Sequence, residues 1–191
     1  MTPSNGNTDT QPAPVVSLVV PMFNEAGSLD AFCDAVGPVM VEIGLPWELV
    51  AINDGSRDDT LDRLIARQAT TPELVIIELS RNFGKEQALT AGLDHARGEA
   101  VIIMDADLQH PPSVIPEMVT KWQEGFDGVY AECVSRAHES KAQRFFAHNF
   151  YRTINLMSEV PIPAHVGDFR LINRAMVEAL KSMPERSRFM K

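Results

Sequence analysis

Cysteine, basic charge and long apolar runs are all scarce in this sequence of 191 residues. The two cysteines, Cys33 and Cys133, are too few for a disulfide scaffold and favour a reducing compartment. A formal net charge of −9 excludes a general nucleic-acid-binding protein, which needs a basic surface. The longest apolar run, Val15 to Phe23, is far shorter than the ~20 residues that span a bilayer. Glycine-rich motifs of dinucleotide oxidoreductases and P-loop NTPases are also missing.

The charge is divided unevenly along the chain. Residues 1–135 carry 7 Lys and Arg against 21 Asp and Glu, whereas residues 136–191 carry 10 against 5. A basic final third indicates contact with an anion or an anionic surface, although an uneven but solvated charge distribution would give the same count. The Thr, Asn, Pro and Gly of residues 1–14 predict a disordered lead-in, and residues 15–191 have the length of a single domain.

Short Val- and Ile-rich runs alternate with segments of helical periodicity. Nearly continuous apolar runs are typical of strands buried on both faces, and strand–helix alternation predicts an α/β fold with a mainly parallel central sheet flanked by helices. The predicted strands are Val15–Val20, Glu48–Ile52, Leu74–Leu79, Ala100–Met104 and Gly128–Ala131. The predicted helices are Ser28–Ile43, Arg57–Ala69, Lys85–Ala96, Val114–Glu124 and Asn173–Met183. Ser56 and Asp59 match a capping box at the start of the second helix.

Polar residues follow four of these strands, where ligands of open α/β sheets bind. The clearest group is Asp105-Ala-Asp107-Leu-Gln109, after the fourth strand. Spacing by two places both carboxylates on one side of an extended chain, and such oxygen ligands suit Mg²⁺ or Mn²⁺. We therefore expect a divalent ion here that holds a diphosphate, although two solvated acids in a turn would match the same spacing.

Two further strand ends carry residues suited to a nucleotide. Asp54 can accept hydrogen bonds from a base or ribose, and Gly55 permits close approach of backbone. Arg81 and Lys85, after the third strand, could contact phosphate oxygens. Helix capping and exposed loop charges are the alternative interpretations of these residues.

Taken together, the motifs resemble glycosyltransferase family 2, and within it the polyprenyl-phosphate glycosyltransferases of the dolichol-phosphate mannose synthase and bactoprenol glucosyltransferase type. The resemblance runs in order from about Val16 to Lys191, and it rests on five motifs. These are Val20-Pro-Met-Phe-Asn-Glu25, Asn53-Asp-Gly-Ser56, Arg81-Asn-Phe-Gly-Lys-Glu86, Asp105-Ala-Asp-Leu-Gln109 and Gly167-Asp-Phe-Arg-Leu171.

This resemblance implies a GT-A fold with a Rossmann-like nucleotide-binding half. It also implies inverting transfer from a nucleotide sugar, with UDP-glucose as the best guess, to a polyprenyl (undecaprenyl) phosphate. The donor-binding residues that it implies are Pro21, Asn24, Glu25, Asp54, Lys85, Asp105 and Ala106. The implied ligands of Mg²⁺ or Mn²⁺ are Asp105, Asp107 and Gln109. The implied catalytic residues are Asp168, Asp107 and Arg170.

The acceptor would be held by the basic final third. Arg136, Arg144 and Arg170 are the cations suited to a lipid phosphate, and residues 141–157 have the pattern of a basic amphipathic helix that either lies on a membrane surface or packs on the core. Family members usually continue into membrane helices, so residues 15–191 are expected to be a catalytic domain without its membrane part. The resemblance places the full protein at the cytoplasmic face of the bacterial inner membrane, and homo-oligomerisation stays open.

Two other functions remain as alternatives. A family 2 enzyme with a polysaccharide or soluble acceptor would share the donor motifs and differ in the basic segment and in Asp168-Phe-Arg170. A phosphohydrolase with Asp105 as nucleophile is more remote, because such enzymes place Asp-x-Asp after the first strand and three strands precede it here.

Overall fold

A computed structural model describes residues 12–132 and 166–182. Side chains are described for residues 12–131 and 169–182. The strands are β1 (Val16–Met22), β2 (Trp47–Asn53), β3 (Leu74–Glu78), β4 (Ala100–Ile103), β5 (Gly128–Glu132) and β6 (Val166–Asn173). The helices are α1 (Leu29–Ile43), α2 (Thr60–Gln68), α3 (Lys85–His95), α4 (Ile115–Gln123) and α5 (Arg174–Ser182), with a short 3₁₀ turn at Pro112–Val114. Each predicted strand and helix is present, with ends that differ from the prediction by at most three residues.

The strands within the described ranges form one sheet in the order β3-β2-β1-β4-β6-β5. β3, β2, β1 and β4 pair in parallel, whereas β6 runs antiparallel to both β4 and β5. The prediction of a mainly parallel sheet with flanking helices is confirmed. The antiparallel strand β6 was not predicted, because its sequence contains Asp168 and Arg170 and has no continuous apolar run.

Apolar side chains cover both faces of the central strands. In β4, Ala100 and Ile102 pack with α1 and α4, whereas Val101 and Ile103 pack with α3 and α5. All four side chains are at most 1% exposed. This two-sided burial explains why the strands have continuous apolar sequences, and it leaves the strand ends as the places where polar groups accumulate.

The start of α2 differs from the predicted capping box. The helix begins at Thr60, the Asp59 side chain makes no capping bond, and the Thr60 N–H donates to Asp58 Oδ1 at 3.1 Å. The Ser56 hydroxyl instead accepts from the backbone N–H of Asn24 at 2.9 Å. The capping prediction was wrong because Ser56 bridges two loops, an interaction between residues 32 positions apart that local spacing does not reveal.

A buried carboxylate ties the amino ends of the strands together. The Glu48 side chain is 3% exposed and accepts from the Ser17 hydroxyl at 2.7 Å and from the Arg97 backbone N–H at 2.7 Å. Its second oxygen accepts from the Arg97 guanidinium at 2.9 and 2.7 Å. Glu48 precedes Asp54 by six residues along β2, or about 20 Å of extended strand. This network therefore lies at the opposite end of the sheet from the candidate site.

Candidate active site

A cleft of about 290 Å³ opens at the carboxyl ends of β1, β2 and β4. It is lined by Pro21, Met22, Phe23, Glu25, Asp54, Asn82, Gly84, Lys85, Asp105, Ala106 and Asp107. The parallel strands bring these residues together, although they come from four separate parts of the chain. Seven lining residues are sequence candidates: Pro21, Glu25, Asp54, Lys85, Asp105, Ala106 and Asp107.

Asp54 holds the loop after β3 against the end of β2. Its side chain is almost fully buried, and its two carboxylate oxygens accept from the backbone N–H groups of Phe83 at 2.8 Å and Gly84 at 2.9 Å. Hydrogen bonds from amides to an ionised carboxylate are stronger than neutral ones. Each oxygen thus accepts from the protein's own backbone, and the carboxylate holds this wall of the cleft in place.

Gly55 makes this close packing of loops feasible. Its φ of +63° lies in the left-handed region, and a Cβ built there would sit 2.3 Å from the carbonyl carbon of Arg81. No side chain fits against backbone at that distance. The prediction that Gly55 permits close approach is confirmed, and the approaching group is the loop after β3.

The loops after β1 and β2 are joined by a second set of hydrogen bonds. Asn24 has a φ of +57°, and its side-chain oxygen accepts from the Arg57 N–H at 2.9 Å. The Glu25 N–H donates to the Thr60 hydroxyl at 2.9 Å. A hydrogen bond from that same hydroxyl lowers the pKa of Asp58, with a further contribution from the Ala26 N–H. Asn24 thus joins two loops and is absent from the cleft lining, whereas Glu25 lines the cleft.

Asp105 and Asp107 follow β4 in a turn, which differs from the extended chain assumed for their spacing. Both nevertheless line the cleft. Lys85, the first residue of α3, places its ammonium 2.6 Å from Asp105 Oδ1 and 2.8 Å from Oδ2. Asp107 Oδ1 accepts from the backbone N–H of Gln109 at 3.0 Å.

The donor chemistry of this turn fits a hard divalent cation. Asp105 and Asp107 supply carboxylate oxygens, the ligands that Mg²⁺ and Mn²⁺ prefer. Within the described ranges no group of three or more His, Cys, Asp or Glu side chains converges in a ready-made metal cage. A cation at this turn would therefore take further ligands from a bound substrate or water, as is usual for Mg²⁺ beside phosphates. Gln109 is exposed and is not part of the cleft lining.

The other sequence candidates lie on β6, on the loop after β3, or outside the described residues. Asp168 and Arg170 belong to β6, where Arg170 is in register with Ile103 of β4 and Tyr130 of β5. The guanidinium carbon of Arg81 stacks 4.3 Å from the centre of the Phe83 ring, and Arg81 does not line the cleft. The predicted acceptor-phosphate residues Arg136 and Arg144, and the amphipathic segment 141–157, lie outside the described residues.

Four lining residues were missed as site candidates: Met22, Phe23, Asn82 and Gly84. Each lies inside a motif that the sequence had already singled out. The signal available for Phe23 was its position between a buried strand and Asn24, and its ring is 42% exposed. An aromatic residue directly after a predicted buried strand is the sequence cue that could have identified it.

The Glycosyl transferase family 2 model matches residues 17–181 of the sequence. The chain belongs to glycosyltransferase family 2. It is 47% identical over 176 residues to an uncharacterized glycosyltransferase of Synechocystis sp., covering 92% of this chain and 55% of that protein. It is 45% identical over 176 residues to the prophage bactoprenol glucosyl transferase homolog of Escherichia coli K12, covering 92% of this chain and 58% of that protein.

Solved structures of glycosyltransferases share the fold. A mannosyltransferase from Pyrobaculum calidifontis, in complex with GDP-Man and Mn²⁺, matches with a TM-score of 0.61 and 26% identity over 90% of this chain and 48% of that one. Glucosyl-3-phosphoglycerate synthase from Mycobacterium tuberculosis matches with a TM-score of 0.60 and 23% identity over 89% of this chain and 59% of that one. This family 2 chain therefore has the GT-A fold, as predicted.

The family 2 chain spans between half and three-fifths of the length of the curated relatives to which it was compared. Across the ranges 12–132 and 166–182, none of the helices combines the length and the apolar character needed to cross a bilayer.

Proposed function

We propose that this domain transfers glucose from a nucleotide sugar, UDP-glucose, to a polyprenyl phosphate, in an inverting reaction that needs Mg²⁺ or Mn²⁺. The observation that carries the proposal is the presence of Asp105, Asp107 and Lys85 in one cleft at the carboxyl ends of parallel strands. The identity of 45% to a protein named as a bactoprenol glucosyl transferase homolog supports the choice of sugar and acceptor.

The cleft has the charges that a nucleoside diphosphate requires. Lys85 could neutralise a phosphate oxygen, and the Asp105 and Asp107 carboxylates would hold a divalent cation beside the diphosphate. Bound there, the cation would supply positive charge to the departing nucleoside diphosphate. The structural relative that carries GDP-Man and Mn²⁺ supports this donor chemistry.

The proposed reaction needs little base catalysis. A phosphomonoester has its second pKa near 6, so at neutral pH the acceptor phosphate is already a largely ionised nucleophile. Its oxygen forms the bond to the anomeric carbon while the bond from that carbon to the diphosphate breaks, which inverts the configuration. The protein's contribution is then to position and shield charge, and we assign Arg170 and Asp168 of β6, with Arg136 and Arg144, to the acceptor side.

Isothermal calorimetry with UDP, with and without Mn²⁺, tests the donor half of the proposal. We expect UDP to bind in the presence of Mn²⁺ and Asp107→Asn to weaken that binding, since it removes a carboxylate from the cleft. Asp62→Asn, an exposed acid in the first turn of α2, is the matched control and should bind as wild type does. Absence of UDP and GDP binding at millimolar concentration, with Mn²⁺ present, would overturn the proposed function.

The acceptor half is tested with the protein reconstituted in liposomes that contain undecaprenyl phosphate. Transfer of radiolabelled glucose from UDP-glucose to undecaprenyl phosphate, and not to a soluble oligosaccharide, is the expected result. Transfer to the soluble acceptor alone would favour the alternative family 2 activity and leave the donor chemistry intact.

A further inference from the structure

We propose that Lys85 is a displaceable counter-ion of Asp105: it withholds this carboxylate from a divalent cation until a nucleoside diphosphate draws the ammonium away. The inference rests on the proposed function, because it assumes that the cleft binds a diphosphate with a metal. It adds that metal and nucleotide bind as a coupled pair, and that Lys85 sets the size of the coupling.

The geometry of the ion pair carries the proposal. The Lys85 ammonium lies 2.6 Å from one oxygen of Asp105 and 2.8 Å from the other, so it faces the whole carboxylate. A divalent cation such as Mg²⁺ binds carboxylate oxygens at about 2.0–2.1 Å. Two cations cannot occupy the same face of one carboxylate at these distances without strong repulsion. The metal and the ammonium therefore compete for Asp105.

The ion pair between Lys85 and Asp105 is exposed enough to solvent for either side chain to change its partner. The Lys85 side chain is 38% exposed and that of Asp105 is 30% exposed, so each reaches solvent and the ion pair is only weakly stabilising. The backbone at Lys85, in contrast, is fixed, because the preceding residue Gly84 donates its N–H to the buried Asp54 carboxylate at 2.9 Å. A flexible side chain on an anchored backbone can move between two anions in one cleft.

A diphosphate provides the second anion. Lys85 is the first residue of α3, an 11-residue helix whose amino end favours negative charge. A diphosphate bound in the cleft beside Lys85 would offer the ammonium its own oxygens, and Asp105 would then face the metal. By linkage, nucleotide must tighten metal binding and metal must tighten nucleotide binding by the same factor.

The test compares Mn²⁺ binding to wild type, Lys85→Met and Lys85→Arg, with and without saturating UDP. Electron paramagnetic resonance measures free Mn²⁺, and a protein-free titration corrects for Mn²⁺ that UDP binds in solution. For wild type we expect UDP to tighten Mn²⁺ binding by a factor within the usual range of about 5–150. Lys85→Met should bind Mn²⁺ without UDP at least about fivefold more tightly than wild type, and its response to UDP should shrink. Lys85→Arg keeps the charge and should resemble wild type.

Lys121→Met is the control for loss of a lysine, since Lys121 on α4 is 45% exposed and pairs with Glu124. Thermal unfolding shows whether each variant is folded. Lys85→Gln replaces Lys85→Met if Lys85→Met does not fold. Suppose that wild type binds UDP and that the folded Lys85→Met variant, without UDP, binds Mn²⁺ no more tightly than wild type does. That result would overturn this inference and leave the proposed function standing. A wild type that binds neither Mn²⁺ nor UDP would overturn both.

Discussion

Replacement of Asp54 by Asn should destabilise the protein measurably. The carboxylate accepts two backbone N–H groups at 2.8 and 2.9 Å in a site where the residue is 2% exposed. Asn has one acceptor oxygen, so its NH₂ group would face the second N–H and leave that donor unpaired. Loss of one charge-assisted bond with a stranded buried donor costs about 2–3 kcal/mol. At ~2–4 °C per kcal/mol for a chain of this size, Tm should fall by about 4–12 °C.

The same substitution should weaken nucleotide binding without regard to the base. If Asp54 positions the loop of residues 81–84, Asp54→Asn should lower the affinities for UDP, CDP and GDP by similar factors. Urea unfolding gives the free energy of unfolding, and calorimetry with the three nucleotides gives the affinities. Asp59→Asn, an exposed acid whose side chain makes no capping bond, is the control and should change neither. Unchanged stability would refute the assigned hydrogen bonds, and a loss of affinity restricted to UDP would indicate that Asp54 contacts the base.

Two further substitutions test whether UDP binding depends on the cleft alone or also on the opposite end of the sheet. Gly55→Ala should remove most UDP binding in calorimetry, because its Cβ would lie 2.3 Å from the Arg81 backbone and must displace the loop after β3. Wild-type affinity for UDP would show that the loop can adopt a second conformation that still binds nucleotide. Glu48→Gln should cost about 1–3 kcal/mol in urea unfolding, because the NH₂ that replaces one oxygen would face either the Arg97 guanidinium or the Ser17 hydroxyl and Arg97 N–H, and yet leave UDP affinity unchanged. A drop in UDP affinity with Glu48→Gln would contradict the placement of that network at the opposite end of the sheet.

The sheet was largely predictable, because burial on both faces forces a visible pattern on the sequence. β4 reads Ala-Val-Ile-Ile, and every one of these side chains is buried. β6 escaped prediction for the converse reason: it contains Asp168 and Arg170, and its partners are β4 and β5, so only the pairing in three dimensions identifies it. Strand order and the antiparallel direction of β6 are likewise set by contacts that no local window contains.

The location of the site followed from the strand ends, but the roles of individual side chains did not. Ser56 was expected at a helix start and instead joins two loops, and Asn24, expected at the nucleotide pocket, also joins loops across more than 30 residues of sequence. Spacing shows which residues reach the carboxyl edge of the sheet. It does not show which donor each acceptor meets, because that depends on how the three loops pack on one another.

The acidic residues at this edge fall into two classes that burial distinguishes. The carboxylate of Asp54 is nearly inaccessible, and each of its oxygens accepts from a backbone amide, so it is fixed in position. Asp105 is 30% exposed, and its partner is a lysine side chain that can move. Exchange of partners is cheap at a half-exposed ion pair and costly at a buried one. Under the proposed function, the cleft would combine a fixed carboxylate, Asp54, with an exchangeable one, Asp105, that could take up and release a divalent cation.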